Sequence, residues 1–303
     1  MQPARSQEAP IVPLFARRSA PRAALHSLRP RQWSKNLLLF AGIVFAAQTG
    51  DAGRWLEASA AFVAYCAASS AAYLVNDLRD AAHDRLHPVK RTRPIARGEV
   101  STRAAVALAA ALALLSLLLT APLGPVPLLL LGSFAALQLA YSFGLKRIVL
   151  IDVMTIGALF VIRAAAGAAA VDVEISPWLL LCTALLALFL ALAKRRGELV
   201  QAGAEATPGR PALEGYSLEL LDQLVAVVAA STVIAYSLYT FTAHSQAMMV
   251  TIPFVLFGIF RYLLLVHRRD LGEEPENVLL SDGPIIACVA LWALAAAIIL
   301  AAA

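Results

Sequence analysis

Long apolar runs recur along this chain of 303 residues, broken by short polar segments. Each run is roughly 17–25 residues, the length an α-helix needs to cross ~30 Å of hydrocarbon. Hydrophobic residues make up 60% of the chain and charged residues only 15%, more apolar side chain than a soluble domain of this size hides. That excludes a disordered chain, a collagen and a disulfide-stapled secreted module. The runs are rich in Ala and Leu and lack two-residue alternation, which argues against a transmembrane barrel. The expected fold is an all-α membrane protein of about nine spans, near 36–50, 58–75, 102–121, 125–143, 148–170, 177–194, 222–243, 247–267 and 283–302, the first being short.

Ahead of the spans, residues 1–25 read as a flexible basic tail, leaving 26–303 as one nine-helix domain. No short apolar segment with a cleavage site is seen near the N-terminus, so no removed signal peptide is expected. Cys66, Cys182 and Cys288 all fall within apolar runs, without metal-ligand spacing, and read as small core residues.

Polar segments 76–101, 144–147, 195–221 and 268–282 alternate with the short connections 51–57, 122–124, 171–176 and 244–246. Of the 25 Lys and Arg residues, 23 lie in the N-terminal segment or in and beside the longer polar segments; the exceptions are Arg54 and Arg163. By the positive-inside rule the N-terminus and the four polar segments face the cytoplasm and the C-terminus lies outside. The net charge of +5 then reflects topology and attraction for anionic ligands. No nucleic-acid-binding module is visible.

Where the second span ends, the chain reads Asn76-Asp77-Leu78-Arg79-Asp80-Ala81-Ala82-His83-Asp84. Carboxylates at i, i+3 and i+7 stack on one helix face over two turns, where they repel. A divalent cation resolves the repulsion, and Mg²⁺ characteristically shares its oxygen ligands with substrate phosphates. The plainer alternative is a solvated helix end. Directly afterwards comes His87-Pro88-Val89-Lys90-Arg91-Thr92-Arg93-Pro94-Ile95-Ala96-Arg97-Gly98. Acids beside a loop of cations make a site for a metal-complexed polyanion. Pro88 and Pro94 stiffen the loop, and Gly98 permits a turn. His83, between the acids, reads as a surface residue. His26, His244 and His267 read as interfacial, and Glu273, Glu274 and Glu276 as a solvated loop.

The N-D-x-x-D-x-x-x-D helix end followed by H-P-x-K-x-x-R-P-I-A-x-G resembles the signature of the UbiA-type superfamily of intramembrane prenyltransferases. Typical members carry a second Asp-rich motif after helix six. Here that place reads Ala193-Lys194-Arg195-Arg196-Gly197-Glu198-Leu199, one acid behind three cations. This suits a bare phosphate better than a second metal cluster; the alternative is a positive-inside stop. Further stretches are Arg29-Pro30-Arg31-Gln32-Trp33-Ser34-Lys35-Asn36, Gln138-Leu139-Ala140-Tyr141-Ser142-Phe143-Gly144-Leu145-Lys146, Ile162-Arg163-Ala164-Ala165-Ala166-Gly167 and Glu274-Pro275-Glu276. Together with the acidic motif and K-R-x-x-E, they are similar to one subgroup, the decaprenyl-phosphate phosphoribosyltransferases.

The resemblance implies that a polyprenyl phosphate attacks the anomeric carbon of phosphoribosyl diphosphate and Mg²⁺-bound pyrophosphate leaves. The product would be a lipid-linked pentose, in the family's pathway a precursor of wall arabinan, and a trimer would follow from family analogy. On this reading Asp77, Asp80 and Asp84 hold the Mg²⁺-diphosphate with help from Asn76. Lys90, Arg93 and Lys146 are candidate donor-phosphate ligands. Lys35, Lys194 and Arg195 are candidates for the donor's 5-phosphate or the lipid phosphate, and Tyr141 and Glu198 for ribose hydroxyls or for orienting a cation. Arg163, inside an apolar span, is either a structural pair with a carboxylate or backbone carbonyls or a cavity-facing phosphate ligand. Asp152 is an interface residue or part of the site wall. Two competing functions are conventional prenyl transfer to an aromatic or other small acceptor, which keeps the fold and first metal site, and transport, which fits a charged helix end poorly.

Overall fold

The computed structural model describes residues 18–45, 50–86, 90–202, 211–242, 246–269, 278 and 281–302. His87, Pro88, His244, Glu273, Glu274, Glu276 and most of the basic tail therefore lie outside the described residues. Helices account for the apolar runs, because backbone groups in hydrocarbon find hydrogen-bond partners only within their own segment or in a closed barrel. The order is α1 (Ala20–Ser27), a 3-10 stretch (Pro30–Phe40) running into α2 (Ala41–Phe45), α3 (Ala52–Leu86), α4 (Thr102–Thr120), α5 (Pro125–Phe143), α6 (Ile151–Ala170), α7 (Pro177–Ala202), α8 (Pro211–Glu214), α9 (Leu218–Thr242), α10 (Ile252–Arg269) and α11 (Gly283–Ala302). Seven helices among the described residues are long and apolar enough to span a membrane. The segment Pro30–Phe45 and α11 complete the nine expected apolar elements.

α1 begins inside the stretch expected to be a flexible tail. Ala23 and Ser27 are buried in it, and Arg18, just before it, donates to Glu99 (3.0 Å) and to the Thr92 carbonyl (3.1 Å). A buried small-residue face and a long-range ion pair hold this part of the tail in place.

The bundle is built around α3 and α6. In their most apolar windows 50% and 61% of residues are buried inside the protein, against 22–33% for the other spanning helices, so these two carry side chains to the centre. α3 runs for 35 residues, about 52 Å at 1.5 Å per residue. That exceeds the hydrocarbon thickness, and its last turns, carrying the acids, stand beyond the apolar layer. The polar segment after it folds back on α3 and α4. Ile95 and Val100 join Leu74, Ala71 and Ala105 in one core cluster, with Gly98 at φ +71° making the expected turn. Ser101 caps α4 by accepting from the Ala104 amide.

The short first element is seated on α6 by close backbone approach. A Cβ on Gly167 would lie 2.1 Å from the Leu39 carbonyl oxygen, and one on Gly42 would lie 2.7 Å from the Ala168 Cα. Trp33 Nε1 donates to Ser70 Oγ, which in turn donates to the Leu28 carbonyl, so the same element is tied to α3. Gly167→Ala should separate the first element from α6 and cost about 1–3 kcal/mol of stability. The expected result is a lower thermal unfolding midpoint in detergent. Gly132→Ala, with nothing within 4 Å of the added carbon, should leave the midpoint unchanged.

Candidate functional site

A cavity of about 200 Å³ opens where the C-terminal ends of α3, α5 and α7 meet the start of α6. Its walls include Arg29, Tyr73, Asn76, Asp80, Lys90, Arg93, Gln138, Tyr141, Lys146, Asp152, Arg195 and Glu198. Five cations therefore face three carboxylates, a balance suited to a multiply charged anion.

The acids of α3 fall into two sets. Asp77 and Asp84 are seven residues apart, nearly two turns, so they share one face while their backbones stand about 10 Å apart along the axis. Arg93 bridges that gap, its Nη1 donating to Asp77 Oδ1 (3.1 Å) and Asp84 Oδ2 (2.7 Å). Arg29 Nη2 donates to Asp77 Oδ1 as well (2.5 Å). Both carboxylates are buried, at 2% and 3% exposure. Asp80, rotated toward the cavity, is met by Lys146 Nζ at 2.8 Å, and the same ammonium donates to Asn76 Oδ1 (3.2 Å). The three-carboxylate set expected from spacing is therefore divided between partners: Asp77 and Asp84 pair with guanidinium groups and Asp80 with Lys146. Among the described residues no three His, Cys, Asp or Glu side chains form such a group, because Asp77 and Asp84 are engaged by guanidinium groups. Of the oxygens at this end of α3, the Asp80 carboxylate and the Asn76 amide oxygen stand on the cavity wall, both met by Lys146, and fit a hard divalent cation that completes its shell with phosphate and water.

Two local features build this rim. Arg29 sits at φ +54°, a left-handed conformation uncommon for a residue with a side chain. Its guanidinium lies 4.8 Å from the Tyr73 ring centroid. Arg79 donates to the Ser142 and Phe143 carbonyls at 2.7 and 3.2 Å, satisfying the open end of α5 and fixing it beside α3.

On the opposite wall α7 continues past the apolar run, so that Arg195 and Glu198 stand on helix. Arg195 is 6% exposed. Its Nε donates to Asp152 Oδ2 (2.6 Å), its Nη1 to Glu198 Oε2 (2.5 Å) and its Nη2 to the Tyr141 hydroxyl (3.2 Å). Asp152, at 0% exposure, also accepts from the Tyr216 hydroxyl at 2.7 Å. Burial and then this bond push the Tyr216 phenol well above the ordinary tyrosine range, so it stays a donor at physiological pH. This is the place of the second acidic motif, and two carboxylates clamp one buried arginine there.

Of the residues expected to bind substrate, Lys90, Arg93, Tyr141, Lys146, Arg195 and Glu198 line the cavity together. Lys35 and Lys194 are half-buried and are not among its wall residues. Arg163 takes the structural alternative and is not a wall residue either. It is 4% exposed, donates to Asn36 Oδ1 (2.8 Å) and the Leu159 carbonyl (3.2 Å), and lies within 4.7–5.1 Å of the Phe134 and Phe160 ring centroids. Asp152 resolves as site wall. Sequence reasoning quoted Arg29 without assigning it to the site and passed over Tyr216. The signals were an arginine just ahead of Pro30 and an aromatic after Gly215 in a polar segment.

Asp84→Asn should lower stability by about 1–3 kcal/mol, because it weakens the charged partner of a largely buried arginine contact. Asp80→Asn, whose side chain is 27% exposed, should leave the thermal midpoint nearly unchanged. Thermal unfolding of the two variants in one detergent checks the contrast.

Comparison with known proteins agrees with this architecture. The UbiA prenyltransferase family matches residues 37–282. The chain is 35% identical over 275 residues to the decaprenyl-phosphate phosphoribosyltransferase of Mycolicibacterium smegmatis, covering 85% of this chain and 86% of that one. It is 36% identical over 264 residues to the Mycobacterium tuberculosis protein of the same name, covering 84% and 87%. A solved UbiA homolog from Archaeoglobus fulgidus, bound to GPP and Mg²⁺, superposes with a TM-score of 0.71 at 20% identity, covering 93% of this chain and all of that one. A multi-pass helical membrane protein with this span of similarity belongs to the UbiA prenyltransferase family.

Proposed function

We propose that this membrane transferase moves the 5-phosphoribosyl group of phosphoribosyl diphosphate onto the phosphate of a polyprenyl phosphate. The observation that carries the reading is the asymmetry of the cavity. One wall offers Asp80 and Asn76 beside Lys146, and the other offers Arg195 clamped by Asp152 and Glu198. A single carboxylate among four cations suits one metal-complexed diphosphate, and Arg195 on the other wall is the cation left for a monoester phosphate. The names of the relatives at 35–36% identity support the same choice.

In the proposed reaction a lipid phosphate oxygen forms a bond to the anomeric carbon. The bond from that carbon to the diphosphate breaks, and pyrophosphate departs with the electron pair. A phosphate monoester has a second pKa of about 6, so the nucleophile is already anionic and no strong base is required. The work left for the protein is orientation and charge stabilisation. Lys90, Arg93, Lys146 and Arg29 receive the charge that develops on the leaving diphosphate. Arg195, with Lys194 and Lys35 nearby in sequence to wall or rim residues, serves the 5-phosphate or the lipid phosphate. Tyr141 and Glu198 serve the ribose hydroxyls or orient Arg195, which donates to both. Mg²⁺, which Asp77, Asp80 and Asp84 would hold with help from Asn76, supplies charge neutralisation on the diphosphate when bound.

Topology supports a cytoplasmic site. The cavity lies on the side that holds nearly all Lys and Arg residues, with Arg54 bound to the Val171 carbonyl on the opposite side. A water-soluble donor would enter there, while the lipid approaches along the bundle. The expected setting is a bacterial inner membrane and the expected product a lipid-linked pentose, a precursor of the arabinan type.

Purified protein given labelled phosphoribosyl diphosphate, Mg²⁺ and polyprenyl phosphate should carry label into the organic phase, and chelation of divalent cations should stop it. Asp80→Ala should reduce turnover by ~10²-fold or more while the protein stays folded. Label moving instead from a prenyl diphosphate to an aromatic acceptor, with none from phosphoribosyl diphosphate, would replace this reading with conventional prenyl transfer.

A further inference from the structure

Tyr216 lies in the short segment ahead of α9, behind the cavity wall and outside the motifs that the sequence singles out. Residues 211–217 contribute Ala212 and Leu213 to the cavity wall, and Tyr216 itself is 5% exposed. Its hydroxyl makes two bonds at once. It donates to Asp152 Oδ1 at 2.7 Å and accepts from the Leu150 amide at 2.8 Å. The other oxygen of Asp152 accepts from Arg195 Nε at 2.6 Å. A continuous chain therefore runs from the Leu150 backbone through Tyr216 and Asp152 to Arg195.

Strain at the start of that chain marks it as a built feature. Leu150 stands at φ +66°, ψ −40°, a conformation unfavourable for a side-chain-bearing residue that persists only where its surroundings hold it. The Tyr216 hydroxyl satisfies the amide of that strained residue. Gly215 allows the approach, since a Cβ there would lie 2.3 Å from Val149 Cγ2. The turn ahead of α6 and the segment ahead of α9 are thus locked together at one oxygen atom.

We infer that Tyr216 is a positioning residue, which aims Arg195 at an anionic substrate group through Asp152. With Nε held by Asp152, the planar guanidinium is fixed in orientation. Its Nη groups meet Glu198 and Tyr141 at the cavity wall. A guanidinium held in this way loses little freedom when it takes a phosphate. Identification of that phosphate as a substrate group rests on the proposed transfer reaction; the aiming of Arg195 does not.

The test is a binding cycle with ribose 5-phosphate, a soluble phosphate monoester, as the probe, read by titration calorimetry on the full-length protein in detergent. Tyr216→Phe keeps the ring and removes the oxygen. It should weaken binding about tenfold, on the scale of a charge-assisted hydrogen bond, with a thermal midpoint within a few degrees of wild type. Arg195→Gln should weaken binding at least as much, and the double variant should bind like Arg195→Gln alone. Asp152→Asn removes a negative charge from the cavity wall, so simple electrostatics calls for tighter binding. The positioning role calls for weaker binding, and this sign keeps the test decisive if Tyr216→Phe fails to fold. Wild-type affinity in Tyr216→Phe, full additivity in the double variant, or tighter binding in Asp152→Asn would overturn the assignment. In the transfer assay Tyr216→Phe should raise KM for phosphoribosyl diphosphate about tenfold and change kcat far less. An inactive wild type with an intact binding cycle would remove the proposed reaction and leave the role of Tyr216 standing.

Discussion

Pairing of buried charge at one end of the bundle is the constraint on which the rest of this structure depends. Carboxylates and guanidinium groups taken out of water are costly unless each is met by an opposite charge in good geometry. Here several partners come from distant parts of the chain. Asp77 on α3 meets Arg29, 48 positions earlier, and Arg93 in the following loop. Asp152 on α6 meets Arg195 on α7 and Tyr216 ahead of α9. The helices cannot shift independently without stranding a charge, so the pairs that neutralise the rim also fix its shape.

That shape prepares a site with little reorganisation left to do. Buried pairs form the frame: Asp77, Asp84 and Asp152 are all at or below 3% exposure. The more accessible groups, Asp80 and Lys146, face the cavity with side chains 27% and 22% exposed. An incoming diphosphate would compete with Asp80 for Lys146 while meeting donors whose backbones are already held. The apolar body of the bundle serves this arrangement mainly by bringing α3 and α6 to its centre. The Gly167 contact with Leu39 and the Asn36–Arg163 bond pin the first element against α6, and the Trp33–Ser70 bond pins it against α3.

Much of this was legible in the residues. Apolar run length located the nine elements, because hydrocarbon leaves the backbone few alternatives to a helix. The i, i+3, i+7 acids and the cations after them marked the rim, since helical period is a local property. What was hidden depended on contacts between distant segments. Spacing puts Asp77, Asp80 and Asp84 on one face, but it does not reveal that Arg93 lies between two of them. Arg29 enters the site through a left-handed backbone turn that an arginine does not advertise. Tyr216 acts through one oxygen shared between two loops. Arg163 had two possible roles within an apolar span, and only the packing of Asn36, Phe134 and Phe160 around it selects between them.

The central claim is that one acidic wall and its basic surroundings hold a sugar diphosphate at the α3 end of the bundle. A cryo-electron microscopy map of the protein with phosphoribosyl diphosphate and Mg²⁺ tests this most directly. The account predicts diphosphate density between Asp80 and Lys146, with the ribose directed toward Tyr141 and Glu198. Density for the sugar diphosphate elsewhere on the protein, with this cavity filled only by solvent, would contradict it.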